Sequence, residues 1–298
     1  MKFSCSLFLV FLALSVIACQ DTQVKRPVQN EISKRTLSED FKNYWYNGLA
    51  EITSYTLEQE RYGEIRDAEA VLIYVTEDFL PEIQVKADHP SDSTKSVLKL
   101  NQTKKFFTGI YSYSIMNSVF YPLEEKNHAL KVTTSVQEWC GHVYAQLNNR
   151  DSFKIKSHSY FESEADQKFE FQKTVLEDEL WTQVRVNPED LPSGELLIIP
   201  SFEFIRLKHK ELKPYNAIAT TQTQDSIHSF KVEYPSLNRS LTIWYEPDFP
   251  YHIIKWEEQS SKHITKATKK KQLRTDYWSK NTNADSHLRD SLQLNFSL

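Results

Sequence analysis

Glycine is scarce: five in 298 residues, at positions 48, 63, 109, 141 and 194, each isolated from the next. That spacing excludes G-x-G-x-x-G and G-x-x-x-x-G-K-S/T, the loops in which backbone N–H groups cradle a phosphate, and no G-x-S-x-G nucleophile elbow occurs. Cysteine is scarcer still, at positions 5, 19 and 140. Cys140 has no partner in the body of the chain, which excludes a disulfide framework. Cys140-Gly141-His142 offers two metal ligands at most and no His-Glu-x-x-His is present, so neither a metal nor another cofactor is expected. A basic excess is missing too: the formal net charge is −4, against a general nucleic-acid binder. Beyond the first eighteen residues no apolar run approaches the ~20 residues of a membrane-spanning helix.

What is present starts with a targeting segment. Lys2 precedes an apolar run ending Val16-Ile17-Ala18-Cys19, and residues 1–18 read as a signal peptide. The Ile-Ala-Cys ending resembles a bacterial lipobox, which implies cleavage before Cys19 and lipidation of its sulfur. Each buried CH₂ contributes about 0.8 kcal/mol and stable anchoring needs more than one chain, a condition a triacylated cysteine meets. The expected molecule is therefore anchored to the cell envelope, on the inner or outer membrane, with its body in the periplasm or at the cell surface. Polar residues 19–36 form the expected tether.

The body, residues 37–280, alternates like strands. Thr36-Leu37-Ser38-Glu39 has capping-box spacing and opens a short helix to about Gly48. Residues 51–60 and 68–76 flank a turn at 61–64 and predict a hairpin. Further strand patterns fall at 97–100, 106–120, 130–147, 153–159, 196–207, 217–223, 227–234, 241–245, 252–257 and 264–278. Thr174-Val175-Leu176-Glu177 is a second capping box, with Leu176, Leu180 and Val184 repeating behind it, and predicts a helix over 174–185. The expected fold is mainly β: one domain, a strongly curved antiparallel sheet or partly closed barrel with one packed helix. A two-sheet β-sandwich is the alternative. Residues 281–298 are a polar tail expected to fray.

The stretch Gln137-Glu138-Trp139-Cys140-Gly141-His142-Val143-Tyr144 changes parity. Val132, Val136 and Cys140 are even; Val143, Ala145 and Leu147 are odd. On one strand this requires an extra residue, which predicts a β-bulge near 140–142 with Cys140 packed inward. Trp139, His142 and Tyr144 then share the opposite face and are the candidate ligand-binding residues. A Cys140–His142 nucleophile is the weakest reading, because no oxyanion loop or third group accompanies it. The acidic clusters at 162–166, 177–179 and 257–258 read as solvated faces or loops, the second in a helical first turn where the macrodipole favours it. Lys266, Lys269, Lys270, Lys271 and Arg274 read as the wet face of an edge strand.

Phe41-Lys42-Asn43-Tyr44-Trp45, Leu57-Glu58-Gln59-Glu60-Arg61-Tyr62-Gly63-Glu64, Val75-Thr76-Glu77-Asp78-Phe79, Tyr113-Ser114-Ile115-Met116 and the 137–144 stretch together resemble a family of uncharacterised lipoproteins from Bacteroidota. The resemblance covers most of the chain after the signal. Some members carry the label septum formation inhibitor Maf. The Ser-x-Ser-Pro-Arg-Arg-type loop of Maf nucleotide pyrophosphatases does not occur in this chain, so that activity is not carried over. The run at 251–258, closing at Asp276-Tyr277-Trp278, is loosely similar to curved-sheet periplasmic families, some of which carry lipids or lipoproteins. The expected function is non-enzymatic binding of an apolar or amphipathic, lipid-like ligand in the curved sheet, with the membrane reached through the lipid on Cys19. The alternative is an assembly factor docking on another envelope protein, and a hydrolase using Cys140 or His142 ranks third.

Overall fold

A computed structural model describes residues 33–224 and 226–294. The signal segment, Cys19 and the tether up to residue 32 lie outside the described residues. Fifteen strands form one path: β1 (Ala50–Arg61), β2 (Glu64–Leu80), β3 (Lys95–Thr108), β4 (Tyr111–Pro122), β5 (Lys131–Glu138), β6 (Gly141–Asn149), β7 (Phe153–Ser159), β8 (Gln167–Phe171), β9 (Val175–Leu176), β10 (Gly194–Ile199), β11 (Tyr215–Gln224), β12 (Ile227–Tyr234), β13 (Arg239–Tyr245), β14 (Ile253–Ser260) and β15 (His263–Thr275). Their spatial order is β8-β7-β6-β5-β4-β3-β2-β1-β15-β14-β13-β12-β11-β10-β9, with the short strand Val85–Lys86 branching from β2. The first eight strands meander outward to one edge, the last seven lead back from the other, and β15 pairs with β1 to join the halves. Every pairing along the path is antiparallel except β9 with β10. A second, separate ladder pairs Ser33–Lys34 with Glu125–Lys126.

A sheet this wide must curl. Along β12 and β13 the side chains of Phe230, Val232, Tyr234, Leu241, Ile243 and Tyr245 are buried, while their neighbours Ser229, Lys231, Ser240 and Thr242 lie more exposed. Period-two burial of this kind gives the sheet one dry, inner face. The edge strands β8 and β9 are separated in the chain by residues 172–174, so the two edges approach within about 14 Å at that corner. They do not pair with each other, and the barrel stays open.

Inside the trough lies helix α2 (Glu177–Val186), buried at every position but Gln183. It is clamped at both ends. At its start, Glu177 accepts Arg239 Nη1 and Nη2 at 2.5 and 2.6 Å and Tyr234 Oη at 2.6 Å. Near its end, Arg185 donates Nη1 and Nη2 to Glu51 at 2.6 and 2.7 Å and Nε to the Pro250 carbonyl at 2.9 Å. Between them Asp178 accepts from Asn117 and from Phe202 N, and Glu179 accepts from His128 and from Ala129 N and Leu176 N. Helix α1 (Glu39–Trp45), capped by Ser38 Oγ, packs Phe41 and Trp45 into the same core.

Several expectations change. The acidic run 177–179 is buried and hydrogen-bonded, not a solvated face. Thr174 does not cap α2; its hydroxyl donates to the Leu197 carbonyl, and Val175–Leu176 pair as strand β9. The strand expected over 196–207 stops at Ile199, and Ser201 Oγ caps a helix, α3 (Phe202–Leu207). β15 is a central strand paired on both sides, so its lysines do not guard an edge. The tail does not fray over its described residues: after β15 a short helix, α4 (His287–Ser291), leads to Leu292, which is buried and accepts Ser54 Oγ at 2.6 Å.

Two buried carboxyls oppose each other in pH dependence. Burial raises the pKa of Glu51, but the Arg185 charge and its hydrogen bonds outweigh it and hold the group at about 2. Its contribution to stability is therefore present above the ordinary 4.5 and lost as pH falls toward about 2. Burial, with Glu177 alongside, pushes Asp178 up to about 7 from 3.8. There the folded chain keeps a proton that the unfolded chain has released, so stability declines as pH rises across that window. Denaturation midpoints against pH should show Asp178→Asn flattening the decline between pH 4 and 7 and Glu51→Gln removing the acid-side loss. At pH 7, Arg185→Met should destabilise by about 3–5 kcal/mol by leaving Glu51 buried and unpaired, and adding Glu51→Gln should recover part of it. A single variant no worse than the double would overturn this account of the clamp.

Candidate functional site

The 137–144 stretch is a hairpin, not a bulged strand. β5 and β6 pair Val136 with Val143 and Glu138 with Gly141, leaving Trp139-Cys140 as a two-residue loop. Chain reversal through an even loop pairs even positions with odd ones, which is the whole origin of the parity switch. Neither loop residue has positive φ, unlike Tyr62-Gly63 (φ 57° and 78°) in the β1–β2 turn. The Glu138 carboxylate instead accepts the Cys140 N–H at 2.6 Å. Cys140 is exposed, not packed inward. The adjacent Glu138 raises its pKa, lowering the thiolate fraction that a nucleophile needs.

Of the candidate residues, His142 and Tyr144 lie on the outer face of β6, where Tyr144 Oη donates to Gln146 at 2.8 Å. Trp139 stands at the loop tip, 69% exposed, its ring 6.4 Å from Tyr111. The structure does not gather the three around a cavity. Trp139 belongs instead to a row of exposed residues at one end of the sheet: Tyr62, Ile110 and Tyr160 occupy the neighbouring turns or strand ends. In an antiparallel meander alternate turns share an end, about two strand spacings, or ~10 Å, apart. The paired Ser33–Lys34 segment meets the chain between β4 and β5, at the opposite end.

The concave side next to this rim holds a groove of about 530 Å³. Its floor is the inner face of β5–β8, with Val136, Val143, Ala145 and Phe169; its roof is α3 and the following loop, with Phe202, Ile205 and Leu212. Arg206, His209, Lys210, Glu164 and Gln167 supply its polar groups. The volume falls in the range of small-molecule sites, which combine apolar walls with a few placed polar groups. Glu164 bridges floor to roof. Its Oε1 accepts Arg206 Nη1 at 3.2 Å and lies 2.8 Å from His209 Nδ1, while Oε2 accepts Ser159 Oγ at 2.8 Å. Helix α3 is further held by a buried Lys104–Glu203 pair at 2.8 Å and by Arg61 Nη1 donating to the Leu207 carbonyl.

Two other depressions exist: one of about 650 Å³ on the outer face of β11–β15, where Ile227, Trp244 and Ile264 stand among glutamines, serines and lysines, and one of about 490 Å³ beside Arg150, Lys154 and Lys173. Neither is roofed by a helix. Among the described residues no cluster of three or more His, Cys, Asp or Glu is placed to hold a metal ion. The groove's residues come from four separated stretches with no linear motif. The one available signal was Ser201, an N-cap residue followed by apolar residues at 202, 204 and 205, which would have placed a helix as the roof.

No known family's model matches the chain, and no curated protein matches it. Among solved structures it is similar to a beta-barrel-like protein of a domain of unknown function (DUF1849) from Brucella abortus, at 6% identity and a TM-score of 0.43, covering 76% of this chain and 96% of that one. The fold assignment stands on the sheet itself: mainly β, one large curved sheet, not closed.

Gly141 is explained by close approach, since an added Cβ would lie 2.8 Å from Tyr160 Cδ1 and 3.0 Å from Tyr160 Cβ. Gly141→Ala should destabilise by about 1–3 kcal/mol in chemical denaturation, and Tyr160→Ala in the same chain should recover part of that. A neutral Gly141→Ala would show that the contact does not hold glycine in place.

Proposed function

We propose that this protein is a non-enzymatic, envelope-anchored lipoprotein that holds an apolar or amphipathic molecule in the groove beneath α3. The carrying observation is the groove itself, an apolar floor of about 530 Å³ on the inner face of an open barrel, rimmed by charged groups. The lipobox-like Val16-Ile17-Ala18-Cys19 and the exclusion of phosphate loops and nucleophile elbows by the sequence support the same reading. Relative to the residues singled out from the sequence, the site moves across β6, from the outer face carrying His142 and Tyr144 to the inner face carrying Val143 and Ala145.

Two measurements test it together. Palmitate labelling in cells should mark the protein and be lost in Cys19→Ser. The purified soluble body should bind an environment-sensitive fluorescent fatty-acid analogue, and Gln167→Trp, which places an indole at an exposed position lining the groove, should weaken binding at least tenfold while leaving the circular dichroism and thermal midpoint near wild type. Wild-type protein that extracts clean and binds no apolar probe would sink the carrier reading. Docking on an envelope protein would then remain, with the rim of Tyr62, Ile110, Trp139 and Tyr160 as the surface to mutate.

A further inference from the structure

We infer that the molecule held in the groove is an amphiphile with an anionic head, a carboxylate or phosphate, and that Arg206 receives that head. The inference rests on the groove being the binding site. Arg206 sits in the last turn of α3 and lines the groove. Its side chain is 6% exposed, so its charge is held almost entirely out of water. Burying a guanidinium is tolerated when its donors are filled. Those of Arg185 and Arg239 are: all three nitrogens of each have a partner. Arg206 is different. Nη1 reaches Glu164 at 3.2 Å, long for a charge-assisted bond, and lies 3.3 Å from His209 Nδ1, while Cζ stacks 4.2 Å over the Phe161 ring. Its Nε is buried with no hydrogen-bond partner. The Nε atoms of Arg61, Arg66 and Arg274 are unfilled as well, but those residues do not line the groove.

The surroundings favour an anion over a neutral head. Glu164 is the nearest carboxylate to both Arg206 and His209, so its Oε1 is not Arg206's alone. Lys210 adds a further positive charge on the groove and makes no ion pair among the described residues. Glu211, the second carboxylate on the groove, is already paired with Lys213. A carboxylate or phosphate is an acceptor-only group that matches a guanidinium edge, and a partly buried site strengthens that match relative to water. With the head at Arg206, the tail has one place to go: across Val143 and Ala145 toward Phe169, over a floor about three strand spacings, or ~14 Å, wide.

The experiment compares probes that share a tail. A dansyl-labelled undecanoic acid and its methyl ester are titrated into the full soluble body, wild type, Arg206→Gln and Arg206→Lys, with decanoate, dodecyl phosphate and inorganic phosphate as competitors. The acid should bind about tenfold or more tightly than the ester. Both Arg206 variants should lose most of that ratio while keeping ester affinity, Arg206→Lys showing that charge without the planar donor edge is insufficient. Glu164→Gln should raise the ratio by removing the competing carboxylate. Decanoate and dodecyl phosphate should displace the acid, and inorganic phosphate should not. Equal binding of acid and ester overturns the anionic head while leaving the groove standing. Failure of both probes overturns the groove reading itself. Displacement by millimolar inorganic phosphate overturns the amphiphile as source and leaves a free-anion site. The acid-to-ester ratio is read on wild-type protein, so an unfolded variant does not shelter the inference.

Discussion

The pair of bidentate ion pairs on α2 is the constraint the barrel is built around. A ten-residue helix enclosed by a curved sheet has to satisfy its polar ends without water. This one carries a carboxylate at its first residue and a guanidinium one residue before its last, the polarity that the helix dipole favours. Each charge is met by a strand residue from a different part of the path: Glu51 on β1 and Arg239 on β13. Those strands are separated by β15 and β14 in the sheet. Holding both to one short helix fixes how tightly the sheet curls there, which apolar packing alone, being non-directional, does not specify. Such pairs contribute little net stability after desolvation, but breaking one leaves a buried charge, so their effect is on which arrangement is tolerated.

The same geometry leaves room for the groove. α2 contacts β3 and β4, whereas the shorter α3 lies over β5, near the β8 edge. Where α2 runs, Tyr74, Trp181 and Trp256 fill the interior. At the groove the inner wall of β5–β8 is roofed by α3 and the loop after it, tied across by Glu164. An open edge between β8 and β9 means this end need not be packed as tightly as a closed barrel. The rim of exposed side chains follows from the meander, because every second turn of β1–β8 is brought to the same end.

Alternation was legible because period two survives whatever a strand pairs with. It placed the two limbs of β1–β2, the run β5–β7 and the hairpins of β11–β15, and curvature followed from strand count. What failed depended on partners distant in the chain. Val132, Val136, Val143 and Leu147 fit a bulge or a two-residue turn equally well until one knows that Val136 faces Val143 across a ladder. Glu177, Asp178 and Glu179 look like a solvated first turn unless Arg239, Asn117 and His128, up to 62 residues away, are known to reach them. The lysines of β15 suit an edge until β1 is seen to cover it. Phe202–Leu207 was read as strand because FEFIRL alternates apolar and polar over its first three residues, while Ser201 at its start supplied the competing helix signal. That single misreading hid the groove, since α3 is its roof.

The buried arginines of this protein differ in how far their donors are filled. Arg185 and Arg239 are satisfied through every nitrogen by chemistry that belongs to the fold: a glutamate pair, a carbonyl, a second glutamate. Nothing is left over for a ligand, so their burial is explained when the helix is in place. Arg206 is buried to a similar degree, yet its carboxylate partner is shared and its Nε is empty, in the wall of the groove beneath α3. The Nε atoms of Arg61, Arg66 and Arg274 are also unfilled away from the groove, so Arg206 is set apart by its place in the groove wall beside Lys210, and the proposed head-group role rests on that placement.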